Sequence, residues 1–204
     1  MAYTHEMPTV QDQIPRNSRQ HGGFDLTDCR VEFDGETTII TLSDGSKTYH
    51  VGGCLHSVDG QQVIINHGTV RWYFENRRHR TDGPSVESLN GPVLKEWCVH
   101  GMPHRTDGPA FEHADGTKQW WVNGRPHRLD GPAIEDGNGY KAWWVDGERH
   151  RLDGPAIEYA DGSKSWYVDG RKVDIEEIFG YTPTALLTVE EQAKLISYVE
   201  EKKV

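Results

Sequence analysis

Apolar positions in this chain come in short bursts, and the bursts recur at a fixed interval. His104 to Gly124 reads HRTDGPAFEHADGTKQWWVNG, His127 to Gly147 reads HRLDGPAIEDGNGYKAWWVDG, and His150 to Gly170 reads HRLDGPAIEYADGSKSWYVDG, with a step of 23 residues each time. His79 opens a similar unit that is two residues longer at its turn. His56 opens a weaker unit, and Phe33 to Gly53 keeps only Asp44-Gly45, Tyr49, Val51 and Gly53 in register. That makes six units, three of them strong, and all seven Trp fall in two adjacent columns: Trp72, Trp97, Trp120, Trp143 and Trp166, then Trp121 and Trp144. Self-similarity at such a period is the mark of a repeat architecture.

Each unit predicts one β-hairpin and a loop. The first strand is short, as in Ala133-Ile134-Glu135. Asp115-Gly116, Asn138-Gly139 and Asp161-Gly162 supply the turn, because Asn, Asp and Gly tolerate positive φ. The second strand, Lys-x-Trp-Trp-Val, is rich in aromatic and β-branched residues. It ends at Gly101, Gly124, Gly147 or Gly170, with Asn76 in the same left-handed column. The HRxDGP loop then crosses to the next hairpin.

Strand alternation separates two faces. Lys118/Trp120/Val122, Lys141/Trp143/Val145 and Lys164/Trp166/Val168 hardly vary, so they read as the inner face on which repeats stack. The first-strand column Val63, Val86, Phe111, Ile134 and Ile157 is expected to join them. His50, Tyr73, Cys98, Trp121, Trp144 and Tyr167, with the acidic column Glu87, Glu112, Glu135 and Glu158, are expected outside.

The ends differ from the middle. Residues 1–29 are polar and aperiodic, and read as a disordered or loosely docked arm. Residues 30–173 form the array. Residues 174–204 read as a helical cap: a short helix near 174–179, then Thr188 to Glu191 as a capping box. The following helix carries Ala193, Ile196 and Val199 as a stripe, with Leu195 beside it. The expected fold is all-β, a single-layer solenoid of about six 23-residue hairpin repeats with a C-terminal α-helical cap.

Composition narrows the function. Leu, Ile, Val and Phe total 41 of 204 residues, so the aromatic columns must supply much of the core. The net charge of −10 disfavours nucleic acid and anionic membranes. No apolar run is long enough to span a bilayer. Cys29, Cys54 and Cys98 lack CxxC spacing, which argues against a disulfide framework and a zinc site. No signal-peptide pattern opens the chain, so the expected compartment is the cytoplasm.

The repeated His-Arg-x-Asp is the tempting chemistry: His79/Arg80/Asp82, His104/Arg105/Asp107, His127/Arg128/Asp130 and His150/Arg151/Asp153. An active site needs one copy, so the recurrence favours a turn role over a metal ladder or an acid–base pair. Asp would fix the turn, Arg would pair with Asp, and His would stack on Trp or bond a carbonyl. No catalytic residue, metal or cofactor is expected. The feature left over is the outer aromatic column. Tyr73, Trp121, Trp144 and Tyr167, beside Glu112, Glu135 and Glu158, are the candidate partner-binding residues, since exposed Trp and Tyr are favoured interface anchors.

The unit HRxDGPAxExxDGxxxWWVxG resembles the MORN-like repeats of tailed-phage and bacterial proteins, well over residues 56–170 and weakly over 30–55. The tandem Trp and HRxDGP depart from the standard MORN spacing of Tyr-x-Gly-x-Trp. The resemblance implies a non-enzymatic scaffold that binds another protein: for a phage protein, a host protein in the host cytoplasm or a component of the virion. Carbohydrate binding by the aromatic stripe is one alternative, and self-assembly into a homo-oligomer is another.

Overall fold

The computed structural model describes residues 30–34, 37–41, 47–51, 54–55, 63–64, 69–88 and 94–202. The expected arm at 1–29, the opening of the His56 unit and the Asp44-Gly45 turn lie outside the described residues. The chain divides into two compact units, Met1–Gly101 and Met102–Val204. Described strands are antiparallel and joined as hairpins, and two helices lie near the C-terminus.

In the first unit, Arg30–Asp34, Thr37–Thr41, Lys47–Val51 and Cys54–Leu55 form a four-stranded meander. Val63–Ile64, Thr69–Arg71, Val86–Ser88 and Leu94–Glu96 pair in that order as two hairpins. Val70, Trp72, Ser85, Val86 and Cys98 are buried.

In the second unit the strand order is Phe111–His113, Lys118–Gln119, Ile134–Glu135, Lys141–Ala142, Ile157–Glu158, Lys164–Val168 and Arg171–Val173. Each repeat contains a second hairpin where only a strand end was expected. The strand breaks at Trp120 and Trp143, and the chain continues as Trp121–Val122 paired with Arg125–Pro126, and Trp144–Val145 paired with Glu148–Arg149. Both central residues of these turns have positive φ: 51° and 75° at Asn123-Gly124, 52° and 88° at Asp146-Gly147. That is the type I′ pattern, whose twist matches the flanking strands. The same pattern at Glu75-Asn76 places Asn76 at φ 62°, in the left-handed conformation expected for it.

The break lets each Trp join successive elements. Trp120 N donates to Ala133 O at 2.7 Å, and Trp120 O accepts from His127 N at 3.0 Å. Arg128 N then donates to Trp144 O at 3.0 Å, tying the HRxDGP loop to the next repeat.

The pairing register corrects the expected faces. Phe111 lies opposite Gln119, Ile134 opposite Ala142, and Ile157 opposite Ser165. Glu112, Glu135 and Glu158 lie opposite Lys118, Lys141 and Lys164. Opposed residues share a face, so the apolar first-strand column joins Trp121, Trp144 and Tyr167, and the glutamates join the lysines. Residue identity set the parity of each strand, but turn length set their relative register, and one residue of slip exchanges the faces. Neither face is a plain interior. In the second unit Ala110, Ala133 and Ala156 on one side and Ala142 on the other are fully buried, and in the first unit Cys98 is fully buried. His50 and Cys98, both expected outside, are buried.

The C-terminal segment closes the second unit. Helix α1, Ile175–Phe179, starts on Asp174, which accepts from Glu176 N and Glu177 N. Helix α2, Val189–Glu201, starts on the Thr188/Glu191 capping box. Trp166, Val168, Val173, Ile175, Ile178, Leu187, Leu195 and Val199 form one buried cluster. Leu187 N donates to Asp153 O at 2.7 Å, so the segment before α2 docks on the last HRxDGP loop. Leu195 and Val199, one turn apart, form the buried line of α2; the expected stripe is rotated, and Ala193 and Ile196 are exposed.

Candidate functional site

The HRxDGP loops each build the same polar cluster. Arg128 Cζ sits 3.9 Å from the Trp120 ring centroid. Its Nε donates to Asp130 Oδ1 at 2.9 Å, and its Nη1 donates to Pro132 O at 3.2 Å and to Glu135 Oε1 at 3.1 Å. Arg151 repeats this on Trp143 (3.9 Å), Asp153, Pro155 and Glu158. Arg105 bonds Asp107, Pro109 and Glu112, and in the first unit Arg80 bonds Asp82 and Pro84 over Trp72. A planar guanidinium suits this setting because it stacks and forks at once. The hydrogen bond from each Arg holds the Asp82, Asp107 and Asp130 carboxyls below the usual aspartate range.

The loop glycine has a steric reason. A β-carbon on Gly131 would lie 2.9 Å from Arg128 Cζ, with the same crowding at Gly83, Gly108 and Gly154. The guanidinium therefore packs on bare backbone as well as on Trp. Arg pairs with Asp as expected, but Arg, not His, takes the Trp face.

Histidine serves the neighbouring turn. His127 Nδ1 accepts the Asp146 backbone N–H at 3.1 Å; His104 does the same for Asn123 and His150 for Asp169, both at 3.2 Å. The same nitrogen also lies 3.0 Å from Asp146 Oδ1 in His127 and 2.9 Å from Asn123 Oδ1 and Asp169 Oδ1 in His104 and His150, and the tautomer sets which of the two contacts each ring makes. In the first unit His79 accepts from His100 N at 3.1 Å, with the two rings 4.4 Å apart. Burial, and then the charge of His100, push the His79 pKa down.

The aromatic column lies on the other face. Trp121 stacks edgewise on Phe111 at 5.9 Å, and its Nε1 donates to Gln119 Oε1 at 3.1 Å. Trp144 is opposite Arg149, whose Cζ lies 5.0 Å from the Trp144 ring and 5.2 Å from the Tyr167 ring. Tyr167 is opposite Lys172. Tyr140 and Tyr159 meet edgewise at 5.9 Å nearby, and burial raises the Tyr140 pKa, with Arg149 pulling it back. Trp121, Trp144 and Tyr167 are half-buried, as is Tyr73 in the first unit, opposite Arg78. Burial raises the Tyr73 pKa.

The expected stripe thus separates. The aromatic residues stay together within the second unit, but Glu112, Glu135 and Glu158 are on the opposite face, bonded to Arg105, Arg128 and Arg151. Sequence reading missed Arg149. Its signal was the type I′ turn, which places the second residue after Gly147 directly across from Trp144 and gives the column Arg78, Pro126, Arg149 and Lys172.

A groove of about 600 Å³ between the last two HRxDGP loops is lined by Leu129, Trp143, His150, Leu152 and Gln192, among others. Among the described residues no three His, Cys, Asp or Glu side chains gather as a metal site would require. No described helix is long and apolar enough to cross a membrane. No protein-family model matches the sequence, and neither does any curated protein.

Proposed function

We propose that this chain is a β-hairpin solenoid of the MORN-like type that binds another protein and performs no catalysis. It acts in the cytoplasm, that of the host for a phage protein, and needs no metal or cofactor. The binding surface is the aromatic column of the second unit, Trp121, Trp144 and Tyr167; within the first unit, Tyr73 opposite Arg78 is a candidate of its own. The observation that carries this reading is Arg149 held over both Trp144 and Tyr167 on a half-exposed sheet face. Trp, Tyr and Arg are the residues enriched at interface cores. The His-Arg-x-Asp groups are in turn taken up in holding the fold, with Glu112, Glu135 and Glu158 as their acceptors.

Capture from host lysate on the immobilised chain, compared with the Trp144→Ala/Tyr167→Ala double variant, tests this. One protein held by the native chain and lost by the variant is expected. Equal capture by both overturns the surface. A glycan-array signal that depends on the same two rings moves the reading to carbohydrate binding. Oligomers abolished by the double substitution move it to self-assembly.

A further inference from the structure

The cations set across from the aromatic column of the second unit, Arg149 and Lys172, are opposite in sign to the whole chain. The chain is −10 overall. The strand carboxylates of this unit are Glu112, Glu135, Glu148 and Glu158. Glu112, Glu135 and Glu158 point to the Arg–Trp side, and Glu148 precedes Arg149 on a strand and so points away from it. Arg149 and Lys172 stand across from Trp144 and Tyr167 on the aromatic side. Asp136, in the turn before Tyr140, accepts the backbone N–H groups of Asn138 and Tyr140, each at 2.9 Å.

Arg149 differs from the arginines of the HRxDGP loops in this unit. Arg105, Arg128 and Arg151 each have an Asp and a Glu. Arg149 has no carboxylate in ion-pair range among the described residues; it rests on two aromatic rings, and its buried Nε has no hydrogen-bond partner. A guanidinium fixed by stacking keeps its outer N–H groups oriented for a bidentate carboxylate. The rings beside it offer apolar cover to whatever flanks that carboxylate.

Resting on the protein-binding reading, we infer that the partner presents an acidic peptide segment to this face. A Glu or Asp carboxylate docks on Arg149, a second acidic group approaches Lys172, and an apolar or aromatic side chain lies against Trp144 and Tyr167. Charge complementarity selects this occupant. The two cations steer a short acidic peptide, whereas a phosphate polymer would extend over the surrounding anionic surface and be repelled.

Selection of a random 12-residue peptide display library on the full chain, in parallel with Arg149→Gln and Arg149→Lys, tests the inference. The native chain is expected to enrich peptides with at least a twofold excess of Asp and Glu over the naive library. Arg149→Gln should lose that excess, and Arg149→Lys should keep part of it. Near-ultraviolet circular dichroism of each variant checks the tertiary packing of the rings, and the Lys variant carries the test if the Gln variant is unfolded. Peptides that depend on Trp144 but show no acidic excess overturn the acidic partner and leave protein binding intact. An acidic excess unchanged in Arg149→Gln assigns it elsewhere and also overturns the inference. Enrichment of no peptide, with a single-stranded oligonucleotide or glycan bound instead, overturns both readings.

Discussion

The guanidinium of Arg128 lies 3.9 Å over the ring of Trp120, and the same pairing recurs between Arg151 and Trp143. The two tandem Trp columns therefore have different duties. Trp120 and Trp143 carry an Arg that ties a loop down, while Trp121 and Trp144 face the other way. Trp143→Ala should cost about 2–4 kcal/mol, somewhat under the range for a fully buried ring because Trp143 is half-exposed. Trp144→Ala should cost about 1–2 kcal/mol. Urea unfolding of the two variants checks the order; a larger loss at Trp144 would place the main support on the wrong face.

Two glycines should fail for different reasons. Gly131 has no room for a β-carbon because of Arg128, whereas Gly139 has open space but a φ of 99°. Each Gly→Ala change should destabilise by about 1–2 kcal/mol, through overpacking in one case and left-handed strain in the other. Adding Arg128→Ala should relieve Gly131→Ala by at least about 0.5 kcal/mol and leave Gly139→Ala unaffected. A double-mutant cycle in urea reads this, and zero coupling at Gly131 contradicts the packing described.

Helix α2 gives a test one residue apart. Leu195 is fully buried and Ile196 is 37 % exposed. Leu195→Ala should cost about 2–5 kcal/mol, and Ile196→Ala within about 1 kcal/mol. Comparable losses would restore the stripe that the spacing of Ala193, Ile196 and Val199 suggested.

Stability should fall in acid in two steps. Burial lowers the pKa of His50, and burial and then His100 lower that of His79, both from an ordinary 6.5. The unfolded chain then binds protons first, so this contribution is complete above pH 6.5 and lost as pH falls through the folded values. Bonds from Arg lower Asp82, Asp107 and Asp130 from an ordinary 3.8, so their contribution is complete above pH 3.8 and lost below it. Urea midpoints against pH should show both declines, and His79→Gln should shrink only the first. A midpoint that rises as the pH falls from about 7 to about 5 would mean that folding raises these histidine pKa values instead of lowering them.

Much of this was legible in the residues. The 23-residue step, the hairpin at Asp161-Gly162, the left-handed Asn76, the Asp174 and Thr188 helix starts and the Arg–Asp pairing all follow from local chemistry. What was hidden is relative placement. The parity of Ile134 against Trp143 depends on the length of an intervening turn, so reading each strand alone put Glu135 beside Trp144 instead of beside Lys141. The hairpin at Asp146-Gly147 was legible too, since both turn residues suit positive φ, but the break at Trp143 that frees it is a tertiary effect. It is fixed by the bond from Trp143 N to Ala156 O. The stripe of α2 fits several rotations of the helix, and only the docked partner residues choose among them.

The bonds of each loop also make the repeat a cassette. Removing His127 through Arg149, one step of 23 residues, would join Pro126 to His150. Trp120 N would find Ala156 O in place of Ala133 O, Arg151 would land on Trp120, and Glu158 would meet its Nη1. Each of these loop donors in the shortened chain meets an acceptor of the same kind as before, so loss of one unit between the identical HRLDGPAIE segments leaves the joints intact. Repeat number can then drift between descendants while the joint chemistry stays constant, and binding footprints can lengthen or shorten in whole units.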